Sequence, residues 1–392
     1  MACFNRSSLR GPSIMRLAIA ARRVKGLSGA VRLILAEAAA ATAAGWEVDI
    51  FAEKIDAAAV RAVGAVPHPM IRWPWGSWLK RRFFAESASR MVRGADIVHG
   101  HGDIFDQDIL SLHNCVHAAH EALTGLPLPK SDAGGRFHAL QLSGRHFKIL
   151  ITNSQLMKDD VIRRFQVPKE MIEVVYPGFD QRRFSSTDRA RLGAGLRAEL
   201  RLSPETLLFG LVSSGDFEKR GLPSFLRAFA LISRQIPGAH ALIVGKESRP
   251  GRYLHLASQL GIADRVFFRQ PQADVERFYH ALNVYVHAAP WEEFGMTVLE
   301  ALACGVPVIA GARAGATELL AGEARAFVLD ELFPDSLAAA MGQLARQPDL
   351  RARLAALAPT FASAHTLEAY GHAVVALHER LTSKSRPPTP LH

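Results

Sequence analysis

Cysteine is scarce in this chain of 392 residues: only Cys3, Cys115 and Cys304 occur, odd in number and without paired spacing. That pattern excludes a disulfide framework and a Cys-rich zinc site, and it points to a reducing compartment. Long apolar runs are missing too. No stretch reaches the ~18 consecutive apolar residues of a membrane-spanning helix. Residues 1–14, MACFNRSSLRGPSI, have none of the apolar core of a signal peptide, so the expected location is the cytoplasm. Glycine (30) and proline (21) are too few for a collagen-like or low-complexity chain, and a 49% hydrophobic content excludes disorder. Acidic residues are the minority charge, 37 Asp+Glu against 47 Lys+Arg, which leaves a net charge of +10. Such a balance calls for an acidic partner; nucleic acid, anionic lipid and a phosphorylated substrate all satisfy it. The length suits two domains of roughly 150–200 residues each.

What is present is an alternation of short apolar runs with helix-length segments. Residues 15–21 read as a strand, followed by a Gly/Ser loop, an Ala/Leu-rich helix over 30–44 ended by Gly45, and a second strand over 47–52. Strand-length runs recur at 95–99, 109–113 and 148–153. A polar, Arg-rich stretch extends from Asp180 to about residue 203 and reads as an interdomain linker. The alternation then restarts, with strands at 207–212, 240–245, 265–269, 284–287 and 306–310 and a helix over 222–235. Two β/α series predict two doubly wound, Rossmann-like α/β domains whose parallel sheets face each other across a cleft. Ligands of such sheets bind at the carboxyl ends of the strands, so the cleft is where function is expected.

The segment PWEEFGMTVLEALACGVPVI (290–309) holds two acids, Glu292 and Glu300, with seven residues between them, in a strand-loop-helix-Gly-strand context. A helix beginning near Gly295 has first-turn amides free to meet a phosphate, and the glycine lets that phosphate approach closely. Glu300, one turn inside, can accept hydrogen bonds from paired hydroxyls such as those of ribose, and Glu292 can reach a sugar. The turn SSGDFEKRG (213–221) places Lys219 and Arg220 together at a helix start, where two cations can neutralise a diphosphate.

These residues resemble the E-x7-E signature of the retaining glycosyltransferases of family four. VYPGFDQRRF (175–184) is similar to that family's interdomain "PGvD…RF" run, and DIVHGH (96–101) to its "DvvHaH" strand end. The donor half is most like the glucosyltransferases that build lipopolysaccharide core. The resemblance implies a GT-B architecture: an acceptor-binding domain over 15–185, a nucleotide-sugar domain over 186–367, and a terminal helix over 368–385 returning to the first domain. It implies that Glu300 binds the donor ribose, Glu292 the donor sugar, and the amides of Phe294, Gly295, Met296 and Thr297 the distal phosphate. Gly215 stands where the family has an early Arg, and Arg220 takes the slot of the family's Lys with Lys219 beside it. Ser28 and Gly29, in the loop GLSG (26–29), fill the family's glycine loop and approach the donor phosphates. His113 takes the place of a donor-contacting His. The implied catalytic set is Glu292, Arg220, Lys219 and His113, with no cofactor and no metal.

Other features compete with or extend this reading. His99 and His101 flank Gly100 at a strand end, and a metal site there needs further ligands that the spacing does not supply. Asp106 and Asp108 superficially match a D-x-D metal motif and read as a solvated loop. The segment RWPWGSWLKRRFF (72–84) holds Trp73, Trp75 and Trp78 with Arg72, Lys80, Arg81 and Arg82 and no acid. It suits an anionic membrane surface, or else is an amphipathic helix with its aromatics packed inward. The expected activity is transfer of a sugar, from UDP by resemblance, to a cell-envelope glycan or glycolipid, with the protein peripheral to the inner face of the cytoplasmic membrane and without a nucleic-acid partner. The alternatives are a non-catalytic basic scaffold for membrane or nucleic acid, and an NAD-dependent oxidoreductase. The latter is disfavoured because GLSG lacks the three-glycine fingerprint.

Overall fold

The computed structural model describes residues 14–26 and 28–385. Residues 1–13 with Cys3, Leu27 of the glycine loop, and residues 386–392 lie outside the described residues.

The chain forms strands β1 (Arg16–Ala20), β2 (Arg23–Val24), β3 (Glu47–Ala52), β4 (Lys54–Ile55), β5 (Val66–Pro69), β6 (Ile97–Gly100), β7 (Ile109–Ser111), β8 (Ile149–Thr152) and β9 (Ile172–Val174). The second series is β10 (Leu207–Val212), β11 (Ala239–Val244), β12 (Val266–Arg269), β13 (Val284–His287), β14 (Val308–Gly311) and β15 (Val328–Leu329). One seven-stranded sheet has the order β5-β3-β1-β6-β7-β8-β9, the other is six-stranded with the order β12-β11-β10-β13-β14-β15, and β2 and β4 pair separately. Every pairing is parallel. The expectation of two doubly wound domains is met. Strands covered by helices on both faces read as continuous apolar runs, and all six residues of β10 are buried.

Strand order reverses beside β1 in the first sheet and beside β10 in the second. Loops that leave neighbouring strands in opposite directions open a crevice at such a point. The glycine loop follows β1, the turn 213–221 follows β10, and the Glu292 loop follows β13, which is β10's neighbour on the other side.

The Arg-rich stretch is not a solvated linker. Residues Arg189–Glu199 form a helix with Leu196 buried, packed on helix Glu276–Ala281. Gly193 makes that approach possible, since a Cβ there would lie 2.4 Å from the carbonyl oxygen of His280. Its arginines read as linker charge, yet Arg189 donates to the Gly305 carbonyl (2.6 Å) and Arg197 to that of Ala281 (2.8 Å). The final helix, Leu367–Ser385, lies against helix Gly29–Ala43 of the first domain, with Tyr370 and Val374 buried between them.

Candidate active site

Two residues whose backbone favours glycine shape the donor side. Gly221 has φ +69°, and a Cβ on it would fall 1.8 Å from the Ala288 carbonyl oxygen, so only glycine lets the β10 turn sit against the chain leaving β13. Arg220 and Lys219 thereby precede helix Leu222–Gln235 directly. Gly295, at φ +100°, caps helix Met296–Ala303. The backbone amides of Phe294, Gly295, Met296 and Thr297 donate to no other group among the described residues, as a helix start awaiting an anion does. Gly215 lies beside Lys246, whose carbonyl oxygen would be 2.2 Å from a Cβ there.

Arg220 pairs with Glu292 in the crevice. His287, at the end of β13, lies 3.7 Å from the same carboxylate oxygen. Burial and the Arg220 charge push the His287 pKa down to about 3, so the ring is neutral. Lys219 is exposed and pairs with Asp216 at 3.2 Å instead. Glu300 is buried; its Oε1 receives Arg32 Nη2 at 2.7 Å from the other domain, and its Oε2 accepts the Tyr279 hydroxyl at 2.8 Å. Tyr285, on β13, has its hydroxyl 2.7 Å from Thr297 Oγ1, which fixes the first turn of the Glu300 helix.

The opposite wall belongs to the first domain. Ser28 caps helix Gly29–Ala43, its side chain accepting from Val31 N. Gly29 closes on the donor helix so tightly that a Cβ would be 3.2 Å from Met296 Cγ. The starts of two helices therefore meet across the crevice, both with unpaired amides, and their dipoles favour the same anion. Glu293 holds the walls together: its Oε1 accepts from Cys115 N (2.7 Å) and its carbonyl from Ser154 Oγ (2.6 Å). Burial pushes its carboxyl pKa up. Glu318 adds a second clasp, accepting from Gln155 N (2.9 Å), Leu156 N (2.8 Å) and the Tyr176 hydroxyl (2.8 Å). An interdomain cleft of about 400 Å³ is lined by Asn114, Lys219, Arg220, Trp291 and Glu293 among others.

His113 borders a second cleft, of about 430 Å³, wholly within the first domain. Its walls carry Arg22, Arg23, Lys54, Arg72 and Arg81 along with Ser28, Glu53 and Asp103. Arg22 is matched by Glu53 (3.1 Å) and Arg81 faces Asp103 (3.8 Å), whereas Arg23, Lys54 and Arg72 meet no carboxylate within ion-pair range among the described residues. Arg72 and Arg23 crowd Lys54 enough to lower its pKa. Glu53 Oε1 is buried without a hydrogen-bond partner. The cleft thus carries excess positive charge and one carboxylate oxygen without a partner among the described residues.

Behind His113 the structure supplies what the His99/His101 spacing left out. Glu37, the single acid in an apolar helix, is fully buried and accepts from His99 (2.7 Å) and His101 (3.0 Å). These three are the described residues with metal-ligand spacing, and each carboxylate oxygen of Glu37 already faces an imidazole nitrogen. Asp108 is likewise no open ligand, since it accepts from Val98 N (2.9 Å) and pairs with Lys148 (2.8 Å). Asp108 is also not the solvated loop residue that the spacing predicts, because it stitches β6 to the start of β8. Arg32 and Tyr279 carry no motif in the sequence; only the closed geometry reveals them.

The Trp/Arg segment becomes helix Ser77–Met91 and the chain before it. Trp73 packs on Phe83 and Trp78 on Phe137, so two of its three tryptophans face inward. Trp75 (73% exposed), Ile71 (81%) and Leu79 (54%) face out. No helix of the described residues is long and apolar enough to cross a membrane.

Residues 27–183 match the family described as Glycosyltransferase Family 4, and residues 199–360 match Glycosyl transferases group 1. Over 282 residues the chain is 33% identical to the D-inositol 3-phosphate glycosyltransferase of Mycolicibacterium gilvum, covering 66% of this chain and 61% of that protein. The Rhodococcus jostii protein of the same name is 33% identical over 283 residues, with the same shares of 66% and 61%. The chain thus spans less than two thirds of these curated relatives. Among solved structures it is similar to WaaG, a glycosyltransferase involved in lipopolysaccharide biosynthesis, at TM-score 0.78 and 19% identity over 92% of this chain and 99% of that one. It is also similar to Anabaena HepE in complex with UDP and glucose, at TM-score 0.74 and 19% identity over 93% and 100%. Both halves are matched in chain order and the two-sheet architecture is shared, so the chain belongs to the family-four glycosyltransferases of GT-B fold.

Proposed function

We propose that this protein moves a sugar, with retention of anomeric configuration, from a nucleoside diphosphate sugar to an acceptor bearing a phosphate, such as a cell-envelope glycan or glycolipid. The observation that carries the reading is the crevice itself: the helix start at Gly29 meets Met296 at the start of the second helix, Glu292 touches Gly295 and pairs with Arg220, and Glu300 lies in the second helix against Arg32. A diphosphate there meets unpaired amides and a guanidinium, the groups that hold negative charge best in a dry cleft. Glu300 takes the ribose hydroxyls and Glu292 the sugar. As the bond from the anomeric carbon to the diphosphate breaks, the electron pair leaves with the phosphate oxygen. That oxygen then accepts the proton of the attacking acceptor hydroxyl on the same face, which gives retention. The solved neighbour holding UDP and glucose supports UDP as the nucleotide.

The acceptor side rests on the cationic cleft. Arg23, Lys54 and Arg72 are excess positive charge next to the crevice, and the curated relatives are named for a phosphorylated acceptor. Initial rates with paired acceptors, one phosphorylated and one not, test it. The phosphorylated member is expected to have a KM at least about 10-fold lower, an advantage that Arg23→Gln with Arg72→Gln removes, since charge-assisted contacts contribute about 1.5–3 kcal/mol each. Equal KM values for the pair in the parent protein would refute the phosphate assignment.

Work at the inner face of the cytoplasmic membrane is the remaining part of the reading. Trp75, Ile71 and Leu79 present apolar side chains next to Lys80 and Arg82, while Arg81 turns into the cleft toward Asp103. Each cation near an anionic leaflet contributes about 1 kcal/mol, screened by salt. Co-sedimentation with phosphatidylserine vesicles is expected to weaken as salt rises and to be largely lost in Trp75→Ser with Lys80→Gln and Arg82→Gln. Parent-like binding by that folded variant would place the docking surface elsewhere.

A further inference from the structure

Hydrogen-bond parity in the buried cluster dictates where its protons sit. A carboxylate only accepts, so the nitrogens that face Glu37, His99 Nδ1 at 2.7 Å and His101 Nε2 at 3.0 Å, must both carry hydrogen. His99 Nε2 faces Ser111 Oγ at 2.9 Å, and the His99 Nδ1 proton is shared with His378 Nε2 at 3.1 Å. With its Nε2 protonated, neutral His101 offers Nδ1 as a bare acceptor. That nitrogen lies 2.9 Å from His113 Nε2, so His113 must donate from Nε2. The chain of consequences ends at His113 Nδ1, which is unprotonated and bonded to no group among the described residues.

Burial and stacking keep His101 and His113 in this state. The His99 and His101 rings stack at 4.5 Å, and the His101 and His113 rings at 5.2 Å with only 6° between planes. Stacked imidazoles tolerate at most one charge. Burial and its histidine neighbours push the His113 pKa down to about 3, and burial lowers that of His101. Burial alone would protonate Glu37, but His99 and His101 override it and hold the carboxyl well below the usual carboxylate range.

We propose that Glu37 and His101 are positioning residues that lock His113 as its Nε2–H tautomer, presenting a bare Nδ1 as the acceptor for a substrate hydroxyl in the cleft. The role of the hydroxyl rests on the transferase reading above; the tautomer does not. Three elements cooperate: Glu37 from the first helix, His101 from the end of β6, and His113 from the loop after β7. The partner across a histidine ring decides which nitrogen is available, and outer partners of this kind typically matter about 10- to 100-fold.

Nitrogen-15 NMR of the full chain, labelled at histidine and free of substrate, reads the tautomer directly. The expected spectrum shows His113 Nε2 protonated, His113 Nδ1 unprotonated, and a scalar coupling across the hydrogen bond to His101 Nδ1. A proton on His113 Nδ1, or no coupling between the two rings, overturns the proposal whatever the activity. Two variants read the consequence. Gln at position 101 can donate to Glu37 and accept from His113, so His101→Gln is expected to keep kcat/KM within about 3-fold, whereas His101→Leu loses about 10-fold or more with nucleotide affinity unchanged. Equal losses in both folded variants overturn the positioning role, and if the Leu variant does not fold, the parent spectrum and His101→Gln decide. An intact coupling with no turnover of any nucleotide sugar would fault the transferase reading and the hydroxyl role together, leaving the tautomer standing.

Discussion

Arg220→Ala is expected to lower kcat by about 10²–10³ while changing donor affinity far less. With the diphosphate in the crevice as proposed, the guanidinium would sit where the leaving group gains charge, and an interaction that strengthens in the transition state appears in kcat rather than in binding. Removing one such donor typically costs about 2.7–4 kcal/mol of barrier. The geometry also ranks its neighbour. Lys219 is exposed and engaged by Asp216, while Arg220 reaches into the crevice and contacts Glu292. Lys219→Ala should therefore cost much less. Steady-state kinetics on both variants checks this, and a larger loss from Lys219→Ala would mean that Lys219, not Arg220, carries the diphosphate.

Glu300→Ala is expected to raise the Kd for the free nucleoside diphosphate roughly 10- to 100-fold, from the loss of a charged acceptor worth about 1.5–3 kcal/mol. Arg32 occupies one oxygen of Glu300 and Tyr279 the other. A ribose bound at Glu300 as proposed would share or displace Arg32, which would tie nucleotide entry to the contact between domains. Calorimetric titration of the folded variant measures the effect. Unchanged affinity would remove Glu300 from the ribose site.

Much of this arrangement is legible in the sequence because parallel strands buried on both faces must be apolar throughout. The runs at 207–212 and 284–287 coincide with β10 and β13 residue for residue. The acid pair and the glycine before its helix are also local, within nine residues of one chain segment. Short strands escape notice: β5 is the four residues Val66–Pro69 with two prolines, and β9 only Ile172–Val174, too brief for a period-two pattern. The Arg-rich stretch misleads because arginines that cap helix carbonyls look the same in composition as arginines in solvent. Contacts between distant residues are invisible to spacing. Arg32 and Glu300 are 268 positions apart, and His99 and His378 are 279 apart. The buried Glu37 hides for a further reason, because a single acid in an alanine-rich helix looks the same in sequence whether it faces water or two imidazoles.

The most direct test of the central claim is proton NMR of the product formed from a panel of α-linked nucleoside diphosphate sugars and a phosphorylated acceptor. Turnover is expected with at least one uridine diphosphate sugar, giving a new glycosidic linkage whose anomeric coupling is that of the α donor. A β-linked product would contradict it.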